Sequence, residues 1–110
     1  MIARVWRGIA RPETANDYLA HLQRTVFPEL AQLDGYRSAS VLRRDLDEGV
    51  EFTVQTIWES LDAIRQFAGE QVTTAVVAPT AQPLFRSYDA TVTHYDIVLH
   101  AERINSESGA

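Results

Sequence analysis

The sequence predicts one α+β domain, and three observations lead there. Its 110 residues are enough for one hydrophobic core and too few for two. Residues 2–9, 36–44, 50–58 and 91–100 are rich in β-formers and alternate with the period of two that strands require. Two stretches between them repeat apolar residues at three- and four-residue steps, the period of helices. The resulting order βαββαβ is ferredoxin-like: a four-stranded antiparallel sheet with both helices on one face.

The first strand ends where Arg11-Pro12 breaks the extended run. Pro12 suits a first helical turn and Glu13 its positive end, after which Ala15, Tyr18, Leu19, Leu22, Val26, Leu30 and Leu33 mark a long amphipathic helix, kinked or split near Pro28. Asp34-Gly35 ends it, because glycine accepts the left-handed conformation that closes a helix. Asp47-Glu48-Gly49 supplies the turn of a hairpin between strands two and three. On strand three, Val50, Phe52, Val54, Thr56 and Trp58 share the face expected to meet the helices. Ser60 caps the second helix, whose stripe is Leu61, Ile64, Phe67 and Ala68 before Gly69. Residues 70–87 read as a helical turn plus loop, with a β-branched run from Val72 to Val77 and breaks at Pro79 and Pro83. In the last strand Thr93, Tyr95, Ile97 and Leu99 oppose Val92, His94, Asp96 and Val98, and the first set is expected to face the helices.

An apolar fraction of 45% and a charged fraction of 23% place the chain among ordinary globular domains. Without cysteine, no disulfide, thiolate metal site or cysteine nucleophile is available. A net charge of -5, with basic residues scattered apart from Arg43-Arg44, opposes binding to a nucleic acid. No apolar run approaches the ~20 residues of a membrane span, and the N-terminus turns polar by Arg4, so no membrane association and a cytoplasmic location are expected. The domain is expected over 1–101, and 102–110, small and polar, reads as a flexible tail. A sheet with both helices on one side leaves its other side partly apolar, which points to a homodimer.

Several side chains are candidates for chemistry. Trp6 shares the helix-facing side of strand one with Ile2 and Arg4, where it either walls a pocket or fills the core. Arg4 on that side must find a carboxylate, a solvent-filled pocket or a bound anion, and an internal ion pair is the expected outcome. His94 is the acid-base candidate, because its ordinary pKa of ~6.5 allows proton exchange near neutrality. Alternation nevertheless points it away from Trp58, toward a dimer partner. Tyr95, expected on the helix side, can hydrogen-bond a substrate oxygen or a backbone carbonyl. His94, Asp96 and His100 share a strand face but span roughly 20 Å, too far for one metal ion, so no metal site is expected. His21 lies beside polar residues and reads as solvated. Arg86 and Tyr88 fall in the segment that would roof a pocket. No glycine-rich nucleotide loop is present.

The passage Val54-Gln55-Thr56-Ile57-Trp58-Glu59-Ser60-Leu61-Asp62-Ala63, with Leu33-Asp34-Gly35-Tyr36 and His94-Tyr95-Asp96-Ile97, resembles the antibiotic biosynthesis monooxygenase family, a branch of the dimeric α+β barrels, over roughly residues 1–101. The resemblance implies a pocket between sheet and helices in which a planar phenol, quinol or polyketide-like molecule is oxidised by dioxygen with no cofactor. It implies that Trp58 lines this pocket, and Trp6, Phe67 and Tyr95 are expected beside it. An asparagine of the anthrone-oxidising relatives is replaced here by Val54. Haem-degrading relatives carry an asparagine on strand one, an aromatic late in helix two and a histidine ten residues on, where this chain has Trp6, Phe67 and Val77. Two alternatives follow: a non-catalytic ligand-binding or structural dimer, and an isomerase or lyase that needs only proton transfer. A core closed by Trp6 and Trp58 would favour the non-catalytic dimer, and a cleft of several hundred cubic ångströms the oxygenase.

Overall fold

The computed structural model describes residues 1–103, so the expected tail lies, from residue 104, outside the described residues. Strand β1 (Ile2–Ala10) pairs with the later strand Gly49–Trp58 in unbroken antiparallel register, from Ile2 opposite Trp58 to Ala10 opposite Val50. Ile2, Arg4, Trp6, Gly8 and Ala10 therefore share a face with Trp58, Thr56, Val54, Phe52 and Val50. Phe52 and Trp58 are 0% exposed. A slip of one residue would turn both into water, so burial enforces the register.

Between these strands runs a helical rod. A 3-10 turn (Pro12–Thr14) leads into α1 (Ala15–His21), a π-helical stretch (Leu22–Val26) and α2 (Phe27–Leu30) without a break. The expected irregularity thus precedes Pro28. Proline has no N–H for the carbonyl four residues back and pushes it aside. The turn ahead of it widens, and Phe27 N–H reaches the Leu22 carbonyl, five residues back. Gly35, at φ 86°, then reverses the chain, and a Cβ there would come within 2.6 Å of the Ala63 side chain.

The hairpin follows as expected, with β2 (Tyr36–Leu46) and β3 (Gly49–Trp58) joined by Asp47-Glu48. Helix α3 (Leu61–Ala68) starts at Ser60, whose Oγ accepts the Ala63 N–H at 3.1 Å. Ala63 and Ile64 are buried, and Leu61 lies off the stripe, exposed.

After α3, residues 71–81 cross the helix-covered face as a strap with turns at 72–73 and 79–81, so the expected loop lies here and the expected helical turn at its end. Val92 N–H bonds the Thr73 carbonyl at 2.8 Å, and Ala75 N–H bonds the Ala90 carbonyl at 2.9 Å. A 3-10 turn (Gln82–Leu84) then leads into β4 (Phe85–Tyr88), and β5 (Thr93–Asp96) follows. Both pair with β1, at Gly8–Ala10 and Ile2–Val5 respectively. The expected fourth strand is therefore two short ones, and the sheet has five, in the order β2-β3-β1-β4 with β5 also on β1. The split falls where the chain leaves the sheet to pair with the strap, Thr74 bridging Thr91. The ferredoxin-like α+β fold stands.

Two apolar clusters join sheet to helices. One gathers Tyr18, Leu22, Phe52 and Phe85, and the other Leu30, Trp58, Ala63 and Ile64. The opposite face carries Val5, Ile9 and Ile57, with Leu42 and Tyr95 each 56% exposed. There Glu51 takes a two-point bond from Arg44 (2.7 and 3.2 Å) and an ion pair from Arg7 at 3.3 Å. The Arg44 bond draws its carboxyl below the usual range. Among the described residues no helix is long and apolar enough to cross a membrane.

Candidate functional site

An apolar cavity of about 110 Å³ lies between the sheet, the helical rod and the strap. Arg4, Trp6, Val54 and Thr56 form its floor, Tyr18 and His21 belong to its helical wall, and Val76 and Val77 lie in its roof. It is smaller than the several hundred cubic ångströms that mark an open cleft. An apolar cavity of ~150 Å³ takes benzene, so this space matches about one aromatic ring.

Trp6 is fixed edge-on to Phe85, with ring centres 5.4 Å apart, and flanked by Tyr18 and Tyr88. Its indole N–H donates to the Asp89 carbonyl at 2.7 Å and is not free for a ligand. Gly8 leaves room for the ring: a Cβ there would stand 2.7 Å from it. Trp6 thus presents a rigid apolar wall.

Trp58, expected in the pocket, is fully buried and lines no part of it. Its N–H donates to Thr56 Oγ1 at 2.8 Å, and it stacks on Phe67 with centres 6.1 Å apart. Phe67 stands between it and the cavity, which Phe67 lines. The order of these rings along the wall depends on side-chain directions, which the strand pattern does not fix.

Arg4 is 4% exposed and has no carboxylate within ion-pair distance among the described residues, so the expected internal ion pair is not found there. Its Nη2 donates to the Thr74 carbonyl at 3.0 Å, and Nη1 to the Val72 carbonyl and to His94 Nε2, the latter at 3.0 Å. Its guanidinium carbon lies 5.7 Å from the centre of the Phe67 ring. Burial lowers its pKa to about 10, which leaves it charged at neutral pH.

The phase of the last strand is the reverse of the expected one. Arg4 is opposite His94 and Ala3 opposite Tyr95, so His94 faces the helix side and Tyr95 the open face. Val92, in phase with His94, is buried and lines the cavity. The polar ring turns inward because Arg4 needs an acceptor, whereas the amphipathic tyrosine tolerates water. Arginine only donates, so His94 Nε2 accepts and its proton sits on Nδ1. Burial, then the charge of Arg4, lowers the His94 pKa. The lone pair that a general base would use already points at Arg4.

Arg86 and Tyr88 are exposed on β4 and do not roof the cavity; Tyr88 packs on Trp6 and Phe85 instead. The roof comes from the strap. His21, expected in solvent, lines the cavity and makes no side-chain hydrogen bond among the described residues. Its signal was present: it stands three residues after Tyr18, on the same helical face. Among the described residues no three His, Asp or Glu side chains are grouped to hold a metal ion, and His100 lies 3.2 Å from Glu102. Nor does the space fit haem, since room for about one ring is far below a porphyrin.

Comparison with known proteins agrees with this architecture. The family model for antibiotic biosynthesis monooxygenases matches residues 1–79. A Deinococcus radiodurans structure provisionally described as such a monooxygenase shares 18% identity at a TM-score of 0.64, covering 96% of this chain and 100% of that one. Rv0793 from Mycobacterium tuberculosis shares 20% at 0.61, covering 92% and 98%. A variant of MhuD, solved with two manganese protoporphyrin IX molecules per active site, shares 20% at 0.62, covering 94% and 100%. Such identities speak for the fold alone. No curated protein matches the sequence. The family model spans well over half of the 110 residues, and the chain belongs to the antibiotic biosynthesis monooxygenase family.

Proposed function

We propose that the protein is a small oxygenase that oxidises a phenol or quinol of about one aromatic ring with dioxygen and without a cofactor. The observation that carries this reading is the apolar cavity, whose few polar groups include Arg4, Thr56 and His21. In such a site the substrate supplies the electrons. His21 takes the proton of the substrate hydroxyl, and the resulting anion is electron-rich enough to reduce dioxygen directly. One oxygen atom enters the ring, and the other leaves as water with the two hydrogens the substrate gives up. Trp6 and Phe67 hold the ring flat, and the dry walls strengthen every charge interaction inside. His94 and Tyr95 move out of the catalytic role, the first to orient Arg4 and the second to the open face.

The test is dioxygen consumption by the chelator-treated protein with a panel of hydroquinones, catechols and naphthols. Uptake of one dioxygen per product is expected, falling about 100-fold or more in His21→Phe if His21 is the base. No uptake with any member sinks the reading. Turnover that persists without dioxygen would instead favour the proton-transfer isomerase.

The cavity's small size, with Val54 on its floor, favours a second reading, a ligand-binding dimer without chemistry. It predicts tight binding of one-ring compounds with no product formed.

In either reading the open face is covered by a second copy, with Ile57, Leu42 and Tyr95 at the contact. Light scattering at micromolar concentration is expected to give twice the chain mass, falling to the monomer in Leu42→Glu. A wild-type monomer would remove the interface.

A further inference from the structure

We infer that the ligand carries an oxyanion attached to its aromatic ring, a phenolate or carboxylate, and that Arg4 selects this charged form. The inference rests on the cavity proposed above as the ligand site. Arg4 holds a full positive charge while nine-tenths buried, and it lines the cavity. Three hydrogen bonds engage part of its five N–H groups without cancelling that charge. The carbonyls of Val72 and Thr74 are neutral acceptors, and His94 accepts as a neutral ring. Among the described residues no aspartate or glutamate lines the cavity. Asp96, two residues beyond His94 on the same face, makes no ion pair with Arg4.

A buried charge without a counter-charge is costly, and proteins keep one where something supplies the opposite sign. Here the remaining space beside the cation is apolar and about one ring in size. A ligand that fits both is flat and apolar, with a negative oxygen at one end. A neutral ring would leave Arg4 uncompensated, and a cationic one would be repelled. Phe67 sharpens the arrangement by holding its ring beside the guanidinium, where a ligand ring can lie alongside it.

A purely structural Arg4, tying the strap to the sheet through Val72 and Thr74, would favour no ligand charge state, which makes ligand ionisation the decisive readout. The probes are 4-nitrophenol, whose phenolate absorbs visibly and which titrates near neutrality, and benzoate against benzamide and benzylamine. None needs dioxygen, so binding is read independently of catalysis. On wild-type protein, bound 4-nitrophenol is expected to ionise about one pH unit or more below its value in buffer, equivalent to tenfold tighter binding of the phenolate. Benzoate is expected to bind at least tenfold more tightly than benzamide, by quenching of tryptophan fluorescence, and benzylamine more weakly still. Arg4→Lys should keep part of the shift and Arg4→Gln abolish it. Should Arg4→Gln fail to fold, the wild-type shift and the benzoate preference decide alone.

Bound nitrophenol that ionises no earlier than in buffer, with benzamide equal to benzoate, overturns the anion assignment and leaves the cavity as a ligand site. Absence of binding by every probe overturns both. A shift with 4-nitrophenol but no preference for benzoate narrows the oxyanion to a phenolate, and the reverse narrows it to a carboxylate.

Discussion

The two tryptophans lie on one face of one sheet, four lanes of register apart on paired strands, and they do different work. Trp58 is 0% exposed, stacked on Phe67 and edge-on to Tyr36, above a cluster closed by Leu30 and Ile64. Trp6 is half-buried, with the same kind of indole bond, yet one side of it borders open space. The difference lies in what comes down onto each ring. Over Trp58 a capped helix packs directly. Over the cavity beside Trp6 comes a strap with no helix of its own, which covers it with the small and β-branched residues Val76, Val77 and Ala78. A site forms here where one covering element is replaced by a thinner one, and not where the aromatic residues are richest.

The largest expected effect tests this contrast. Trp58→Ala should cost about 3–5 kcal/mol, because a fully buried indole leaves a cavity that its neighbours cannot fill. Trp6→Ala should cost only about 1–3 kcal/mol, since that ring is part exposed and already borders a void. Ligand affinity should move the other way, with Trp6→Ala losing benzoate binding and Trp58→Ala, where it folds, retaining most of it. Urea unfolding followed by circular dichroism gives the stabilities, and isothermal titration gives the affinities. Equal losses from both substitutions would erase the distinction.

This contrast also marks where the sequence is readable. The face of β3 from Val50 to Trp58, the Ser60 cap and the reversal at Gly35 each follow from a local rule with one answer, and each is found in place. The last strand has two possible phases. Apolar content favours Tyr95 inward, but the need of Arg4, ninety residues away in sequence from His94, decides for the other. The strap escapes because its β-branched run suits a strand, while only Thr74 finds a bridge. The cavity is a volume left between side chains from four elements, so no single stretch records it. His21 was the legible exception, missed because its polar neighbours in sequence outweighed its helical phase with Tyr18.

The smallest expected effect bears on that reversed phase. The folded-state pKa of His94 lies below its ordinary ~6.5, so the folded protein binds fewer protons there than the unfolded chain. The associated stability is therefore complete above about pH 6.5 and is lost as pH falls through the lowered value. Glu51 acts in the same direction but only lower, in the carboxylate range. Between pH 7 and 5 the urea midpoint should fall, modestly because the ring is partly exposed. His94→Gln, whose amide oxygen can still accept from Arg4, should flatten the decline over that interval and leave the drop below pH 4 intact. An unchanged slope in this variant would mean that His94 does not meet Arg4. That result would return Tyr95 to the helix side and leave the buried cation with no neutral partner on β5.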